Sequence, residues 1–262
     1  MDWIQALILG LVQGLTEFLP VSSSGHIELG KALLGVDAEK SLIFTITVHG
    51  ATVLSTIVVF RKDLMNIIRG LFKFRWNDET NYTSKIIISM IPAVLVGLFL
   101  EDQLESLFNG NILFVGLMLL VTALLLATTS YVSKTLKDVN YPRALLIGVA
   151  QALAVIPGIS RSGATIATGL LAGVDKEKIT RFSFLMVLIP IIGKNLMELM
   201  AGDLTSGLLI DPMALLVGFI AAFVSGLVAC KLMIGIVKKG KLIYFAAYCL
   251  AVGLIAILFG LI

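Results

Sequence analysis

The stretch "QGLTEFLPVSSSGH", residues 13 to 26, sets a carboxylate, a proline, three serines, a glycine and one of the chain's two histidines between apolar flanks. Its surroundings read as membrane. Hydrophobic residues make up 58% of the 262, charged residues only 14%, and the mean hydropathy is +1.01; such values belong to polytopic helical membrane proteins and exclude an ordinary soluble domain. No basic leader or small-residue cleavage site precedes the stretch, so the first twenty residues read as mature protein. The partners such a chain implies are the membrane and a lipid, with no nucleic acid.

Apolar runs of about 20 residues, enough to cross a bilayer, fall at roughly 42 to 60, 85 to 100, 111 to 131, 182 to 201, 212 to 235 and 242 to 262. Two further apolar segments, 3 to 34 and 143 to 173, are broken midway by Pro, Gly and Ser, and neither half is long enough to cross. They are expected to be re-entrant helix-loop-helix hairpins, tolerated at membrane depth where protein or a wet cavity satisfies the broken backbone. The predicted fold is therefore an all-α polytopic membrane protein with six transmembrane helices and two re-entrant hairpins.

The two broken segments match each other. "LGLVQG" (9 to 14) pairs with "IGVAQA" (147 to 152), "SSSG" (22 to 25) with "SRSG" (160 to 163), and "GVDAEKSLIF" (35 to 44) with "GVDKEKITRF" (173 to 182), all at an offset of 138 residues. One membrane domain, 1–262, thus holds repeat one (about 1–132) and repeat two (about 140–262), each a hairpin followed by three spans. Three is odd, so the second copy is predicted to sit inverted relative to the first.

Loop charges agree with that threading. With 61 to 85 in the cytoplasm, 16 of the 20 Lys and Arg lie inside, Lys31 and Lys40 lie outside, and Glu101, Asp102, Glu105, Asp203 and Asp211 occupy the opposite loops. Both termini then face the exterior of a bacterial cytoplasmic (inner) membrane, and the two hairpin tips meet near the midplane, open to the exterior. The remaining cations are Lys194, for which a salt bridge to Glu198 one turn on is expected, and Arg161 at the second tip. A cation at such depth costs at least ~2.5–3.5 kcal/mol and requires a partner or a function. Cys230 and Cys249 read as core thiols, and Gly10, Gly14, Gly169, Gly173 and Gly226 as sites of close helix packing within one chain or between two copies of a homodimer.

At the first tip, Gln13 and Glu17 share a helix face, and Ser22, Ser23 and Ser24 stand where N-caps stand, opening a helix whose free N–H groups attract phosphate. His26 lies in that helix's first turn and can exchange a proton near neutral pH. The second tip, "PGISRSGAT" (157 to 165), adds Arg161, a planar fork matched to phosphate oxygens, with Ser160, Ser162 and Thr165 as further donors. Together these form an anion cradle with the parts for phosphoryl transfer. A bare Glu17–Arg161 ion pair pinning the hairpins, and a carrier or flippase for a phosphate-bearing lipid or anion, remain readings of the same residues. His49 in "ITVHGAT" reads as a satisfied interhelical donor.

"QGLTEFLPVSSSGH" followed by "PGISRSGAT" resembles the paired signature of the undecaprenyl-diphosphate phosphatases, the bacitracin-resistance membrane proteins that recycle the bacterial cell-wall lipid carrier, and the resemblance spans the whole chain. It implies hydrolysis of undecaprenyl (C55 isoprenyl) diphosphate to the monophosphate, helped by a divalent cation, Mg²⁺ or Ca²⁺. It implies that Glu17, Ser23, His26 and Arg161 are catalytic, with Ser22, Ser24, Ser160, Arg161, Ser162 and Thr165 around the phosphates and Glu17 with Gln13 toward the metal. The family admits Glu or Gln at the first of these positions. Here it is Gln13, a weak anchor for a hard cation, so the diphosphate itself is expected to supply most of the ion's ligands. Either Ser23 or His26 could be the nucleophile.

Overall fold

The structure, a computed structural model, describes residues 1–36, 42–100, 111–132, 136–200 and 211–261. Lys40, Glu101, Asp102, Glu105, Lys134 and Asp203, and the side chains of the expected Lys194–Glu198 pair, lie outside the described residues. Those described are helical, with one isolated bridge between Lys137 and Val174. Among the described residues, five helices are long and apolar enough to cross a membrane, or six if one bent pair counts as a span.

The chain opens with α1 (Trp3–Phe18) and α2 (Ser23–Leu34). A capping box starts α1: Asp2 accepts from the Gln5 backbone N–H at 2.7 Å, and Gln5 Oε1 accepts from the Asp2 N–H at 2.9 Å. The helix stops because Leu19 precedes Pro20 and is pushed into the extended region, at ψ 144°. With 16 and 12 residues, the two arms reach only about 24 and 18 Å at 1.5 Å per residue, short of a hydrocarbon core of roughly 30 Å. The later arms, α7 (Tyr141–Leu153) and α8 (Arg161–Leu171), have 13 and 11 residues and are shorter still.

Between and after them run α3 (Leu42–Val59), α4 (Arg61–Leu71), α5 (Asp78–Phe99), α6 (Ile112–Thr128), α9 (Lys176–Met186), α10 (Leu188–Met200), α11 (Pro212–Lys238) and α12 (Ile243–Gly260). The expected 61 to 85 loop is mostly helix. The chain turns by 77° after α3 into α4, which is too charged to enter the hydrocarbon, and α5 begins at Asp78 because Asn77 caps it, accepting from the Thr80 N–H at 2.8 Å. The 182 to 201 span likewise starts earlier, at Lys176, and breaks at Val187. Pro190 has no N–H to give the Met186 carbonyl four residues back.

Packing is close where small residues face one another. The first arm of each hairpin lies along a distant span: α1 on α11, α7 on α5. A Cβ on Gly14 would fall 2.0 Å from Ser225 Oγ and 2.4 Å from the Ala222 carbonyl oxygen, and one on Gly148 would fall 2.2 Å from the Ser89 oxygen. Helix backbones touch at both places, as membrane packing without a hydrophobic drive requires. The glycines proposed for close packing are thus used within the chain: Gly10 meets Gly218, Gly169 meets Ile179, and Gly226 meets Ser55 and Phe18, while Gly173 makes a turn at φ 80°. Cys230 and Cys249 are buried free thiols, as expected. Phe184 packs edge-on against Phe18 and Phe60 at centroid distances of 5.7 and 5.9 Å, forming a floor beneath the hairpin tips.

Ion pairs gather four segments at one end of the bundle. Arg181 binds Asp63 at 3.2 Å and Glu177 at 3.4 Å, Lys238 reaches Glu177 at 3.4 Å, and Lys178 pairs with Asp138. The hydrogen bond from Lys178 holds the Asp138 carboxyl below its ordinary pKa. Exposed pairs of this kind add little stability. They do show which loops share an end.

Gly14→Ala is expected to prevent recovery of a folded monodisperse protein from detergent, whereas Gly97→Ala, with nothing within 4 Å, leaves it unchanged. Size-exclusion profiles of the two variants check this, and a normal Gly14→Ala profile would contradict the α1–α11 contact.

Candidate active site

The tips of the two hairpins touch. A Cβ on Gly25 would lie 3.2 Å from the Gly158 Cα, and one on Gly163 would lie 3.4 Å from Pro20 Cβ. Ser162 Oγ donates across the junction to the Leu19 carbonyl at 3.2 Å. Thr122 on α6 steadies the second loop, accepting from the Ser160 N–H at 3.0 Å and donating to the Gly158 carbonyl at 3.0 Å. Ser22, at φ 70°, holds a left-handed conformation that is costly for a residue with a Cβ. Its oxygens are fully employed in holding it there: Oγ accepts from the Gly25 N–H at 3.3 Å, and the carbonyl accepts from the His26 N–H at 3.1 Å and from the His26 ring at 2.9 Å.

Glu17 is the meeting point. Its side chain is 4% exposed. One carboxylate oxygen pairs with Arg161 from the second tip; the other accepts from Ser23 Oγ at 2.7 Å and from Gln13 Nε2 at 2.9 Å. A buried carboxylate without such partners would cost several kcal/mol, so the set is mutually dependent. Ser23 and Arg161 are 138 residues apart and each is the first residue of its helix. The two helix starts therefore present a hydroxyl and a guanidinium to one carboxylate. Gln13 Oε1 is buried with no hydrogen-bond partner among the described residues, and the same holds for both amide atoms of Gln151, its counterpart.

Not every expected residue converges on this point. Ser160 caps α8 by accepting from the Gly163 N–H at 3.1 Å, and Ser24 Oγ lies 3.4 Å from Ser22 Oγ. Thr165 sits a turn deeper, donating to the Arg161 carbonyl at 2.8 Å and meeting Ser183 Oγ at 2.6 Å. His26 is turned toward Tyr248, whose hydroxyl is 2.8 Å from Nε2. His49, read as a packing donor, does reach across from α3, and the group it approaches is Glu17: Nε2 stands 4.0 Å from the carboxylate while Nδ1 donates to the Thr45 carbonyl at 2.8 Å. Thr52, Thr56 and Ser183 also join Glu17, Arg161 and Ser162 around a cleft whose other wall is Phe18, Val53, Phe184, Val187, Leu188 and Ile191. The cleft is closed down to room for about one water molecule. These added residues sit in apolar spans without a motif of their own; a histidine three residues ahead of a threonine pair at helical spacing, Thr52 and Thr56, was the available signal.

A carboxylate shared by a serine and an arginine, where two helix N-termini meet beside an apolar wall, suits a phosphate group carried on a lipid. The family model described as bacitracin resistance protein BacA matches residues 6–255. The chain belongs to this family. It is 60% identical over 261 residues to an undecaprenyl-diphosphatase of Christiangramia forsetii, covering 99% of this chain and 98% of that one. Identity is 55% over 261 residues to one from Bacteroides fragilis and 39% over 278 residues to one from Methanosphaera stadtmanae, each with 98% of both chains covered. Within the BacA family, this chain brings the two tips into one site through Glu17.

Removing Arg161 strands that carboxylate. Arg161→Ala is expected to cost about 3–5 kcal/mol, read as a lower melting temperature in detergent, and Glu17→Gln added to it should recover most of the loss. Equal melting temperatures for parent and Arg161→Ala would contradict the pairing.

Proposed function

We infer that this chain is an integral-membrane phosphatase that hydrolyses undecaprenyl diphosphate to undecaprenyl phosphate and inorganic phosphate, sustaining the cell-wall lipid carrier and bacitracin resistance. The observation that carries the reading is the Ser23 hydroxyl donating to a Glu17 carboxylate that also holds Arg161. A nucleophile within hydrogen-bond reach of its base, with a cation beside both, is the arrangement of covalent phosphoryl transfer. A carrier would need the arginine and the helix ends but not the hydroxyl–carboxylate pair, and the full-length relatives are phosphatases by name.

The steps follow from the partners. The terminal phosphate of the substrate takes over Arg161 and the N-termini of α2 and α8, which releases Glu17 to act as base. Ser23 Oγ bonds to the terminal phosphorus, its proton passes to Glu17, and the anhydride P–O bond breaks, leaving undecaprenyl phosphate. Water then attacks the phosphoserine, giving inorganic phosphate, and the proton returns from Glu17 to Ser23. His26 is the less suited nucleophile because both ring nitrogens are engaged, by the Ser22 carbonyl and by Tyr248; its proposed part is to give a proton to the leaving undecaprenyl phosphate and to take one back from the attacking water. Ser22, Ser24, Ser160, Ser162 and Thr165 shape and cap the cradle rather than react. The isoprenyl tail stays in lipid past the apolar wall of the cleft.

The residues present do not fit a resident divalent cation. Glu17 is already shared among Arg161, Ser23 and Gln13, and no cluster of three His, Cys, Asp or Glu side chains able to hold a metal is found among the described residues. With Gln13 Oε1 that leaves about two oxygens, against the six to eight such an ion takes. Mg²⁺ or Ca²⁺ is proposed to arrive on the diphosphate, and no step is assigned to it.

The architecture proposed around this site is the inverted repeat with two re-entrant hairpins. Its support is the exchange of partners, in which each hairpin's first arm packs on the second long span of the other repeat. The ion-paired segments at one end carry cations that the positive-inside rule assigns to the cytoplasm. The site is then open to the exterior of the inner membrane.

Brief incubation of the purified protein with labelled isoprenyl diphosphate, followed by an acid quench, should trap an acid-stable phosphate on Ser23; acid-labile label on His26 would overturn the assignment. Gln13→Glu supplies a second carboxylate and is expected to lower, several-fold, the Mg²⁺ or Ca²⁺ concentration giving half-maximal phosphate release. An unchanged cation requirement would place the ion away from Gln13.

A further inference from the structure

We propose that Tyr248 is a positioning residue for His26, fixing the plane of the imidazole and the tautomer that leaves the lone pair on Nε2. The proposal rests on the reading that His26 takes part in phosphate release.

The tautomer is decided by the partners. His26 Nδ1 lies 2.9 Å from the Ser22 carbonyl oxygen, and a carbonyl only accepts, so Nδ1 carries a proton whenever this bond is made. In the neutral ring the lone pair is therefore on Nε2. That atom is 2.8 Å from the Tyr248 hydroxyl, which must be the donor to the neutral ring and becomes the acceptor when Nε2 is protonated. A phenol serves both states by rotating its O–H; a backbone N–H or a carbonyl would serve only one. The two rings also stack, 5.6 Å apart and 13° from parallel, which fixes the plane of the imidazole as well as its proton.

Tyr248 lies on α12, 222 residues from His26 in the chain, and its neighbour Cys249 points its thiol at the Pro20 carbonyl, 3.7 Å away. α12 thus holds the first tip at two adjacent positions, one on each side of the strained Ser22. Most large side chains of α12, including Leu250, Leu254, Ile255 and Leu258, are exposed apolar groups. Tyr248 is different: half-exposed, it turns its polar end inward to the tip. If Tyr248 were only packing, its ring would matter and its hydroxyl would not.

Tyr248→Phe keeps the stack and removes the hydroxyl. The experiment measures kcat and KM for phosphate release from a long-chain isoprenyl diphosphate by the detergent-purified protein, for the parent, Tyr248→Phe, His26→Ala and the double variant. Tyr248→Phe is expected to lower kcat about tenfold with KM little changed, and to add nothing in the His26→Ala background. Parental kcat in Tyr248→Phe would overturn the proposal, as would an equal further loss in the His26→Ala background. Parental kcat in His26→Ala would instead overturn the underlying reading of His26, and is distinguishable because it appears without touching Tyr248. Ring ¹⁵N shifts of the histidine-labelled parent, assigned by difference from His26→Ala, give a readout that does not depend on how Tyr248→Phe folds: a proton on Nδ1 and a hydrogen-bonded Nε2 at alkaline pH support the proposal, and a proton on Nε2 alone overturns it.

Discussion

The structure depends on one buried carboxylate. Glu17 sits at the end of an arm too short to cross the membrane, and its three hydrogen-bonding partners come from its own helix, from the start of the next, and from the tip of the other hairpin. Without Arg161 the charge would be stranded; without Glu17 the arginine would be. That mutual need ties the hairpins together at the place where their backbones are open. It also explains why the close glycine contacts lie where they do: α1 and α7 must be held rigidly against α11 and α5 for the tips to meet within hydrogen-bonding distance.

The same interaction makes the site a latent one. With Arg161 on Glu17 and the cleft closed to about one water, there is no room for a diphosphate until the pair separates. A substrate whose phosphate competes for the guanidinium supplies the anion that Arg161 gives up, so the cost of breaking a buried ion pair is offset by forming another. On the proposed mechanism, the base becomes available only when something is present to be cut. Such coupling would limit the exposure of the proposed nucleophile, Ser23, in a protein that sits permanently among phospholipids.

Much of this was legible in the sequence because duplication and polarity are both written there. The Pro, Gly and Ser breaks pointed to both hairpins, the offset of 138 paired Ser23 with Arg161, and the cost of charge in lipid singled out Arg161 and Lys194 before any geometry was known, while Glu17 entered through the helix face it shares with Gln13. The 61 to 85 loop and the 182 to 201 span were drawn too simply, since the loop holds an amphipathic helix, α4, and Pro190 interrupts what composition alone reads as continuous. His49, Tyr248, Thr52, Thr56 and Ser183 lie in spans whose composition is dominated by packing, and which face each turns inward depends on helix rotation that no local pattern reports. The role of His26 was half visible: its place in the first turn was clear, but its turn toward α12 rather than toward Glu17 is set by a residue 222 positions away.

Phosphate release from a long-chain isoprenyl diphosphate by purified parent and Glu17→Gln protein tests the central claim most directly, because the amide keeps the shape of the side chain while removing its charge and basicity. Release by the parent and its loss in a Glu17→Gln protein that remains monodisperse is the predicted result. Undiminished release by Glu17→Gln would show that the carboxylate only pins the hairpins together, and would contradict its role as the base for Ser23.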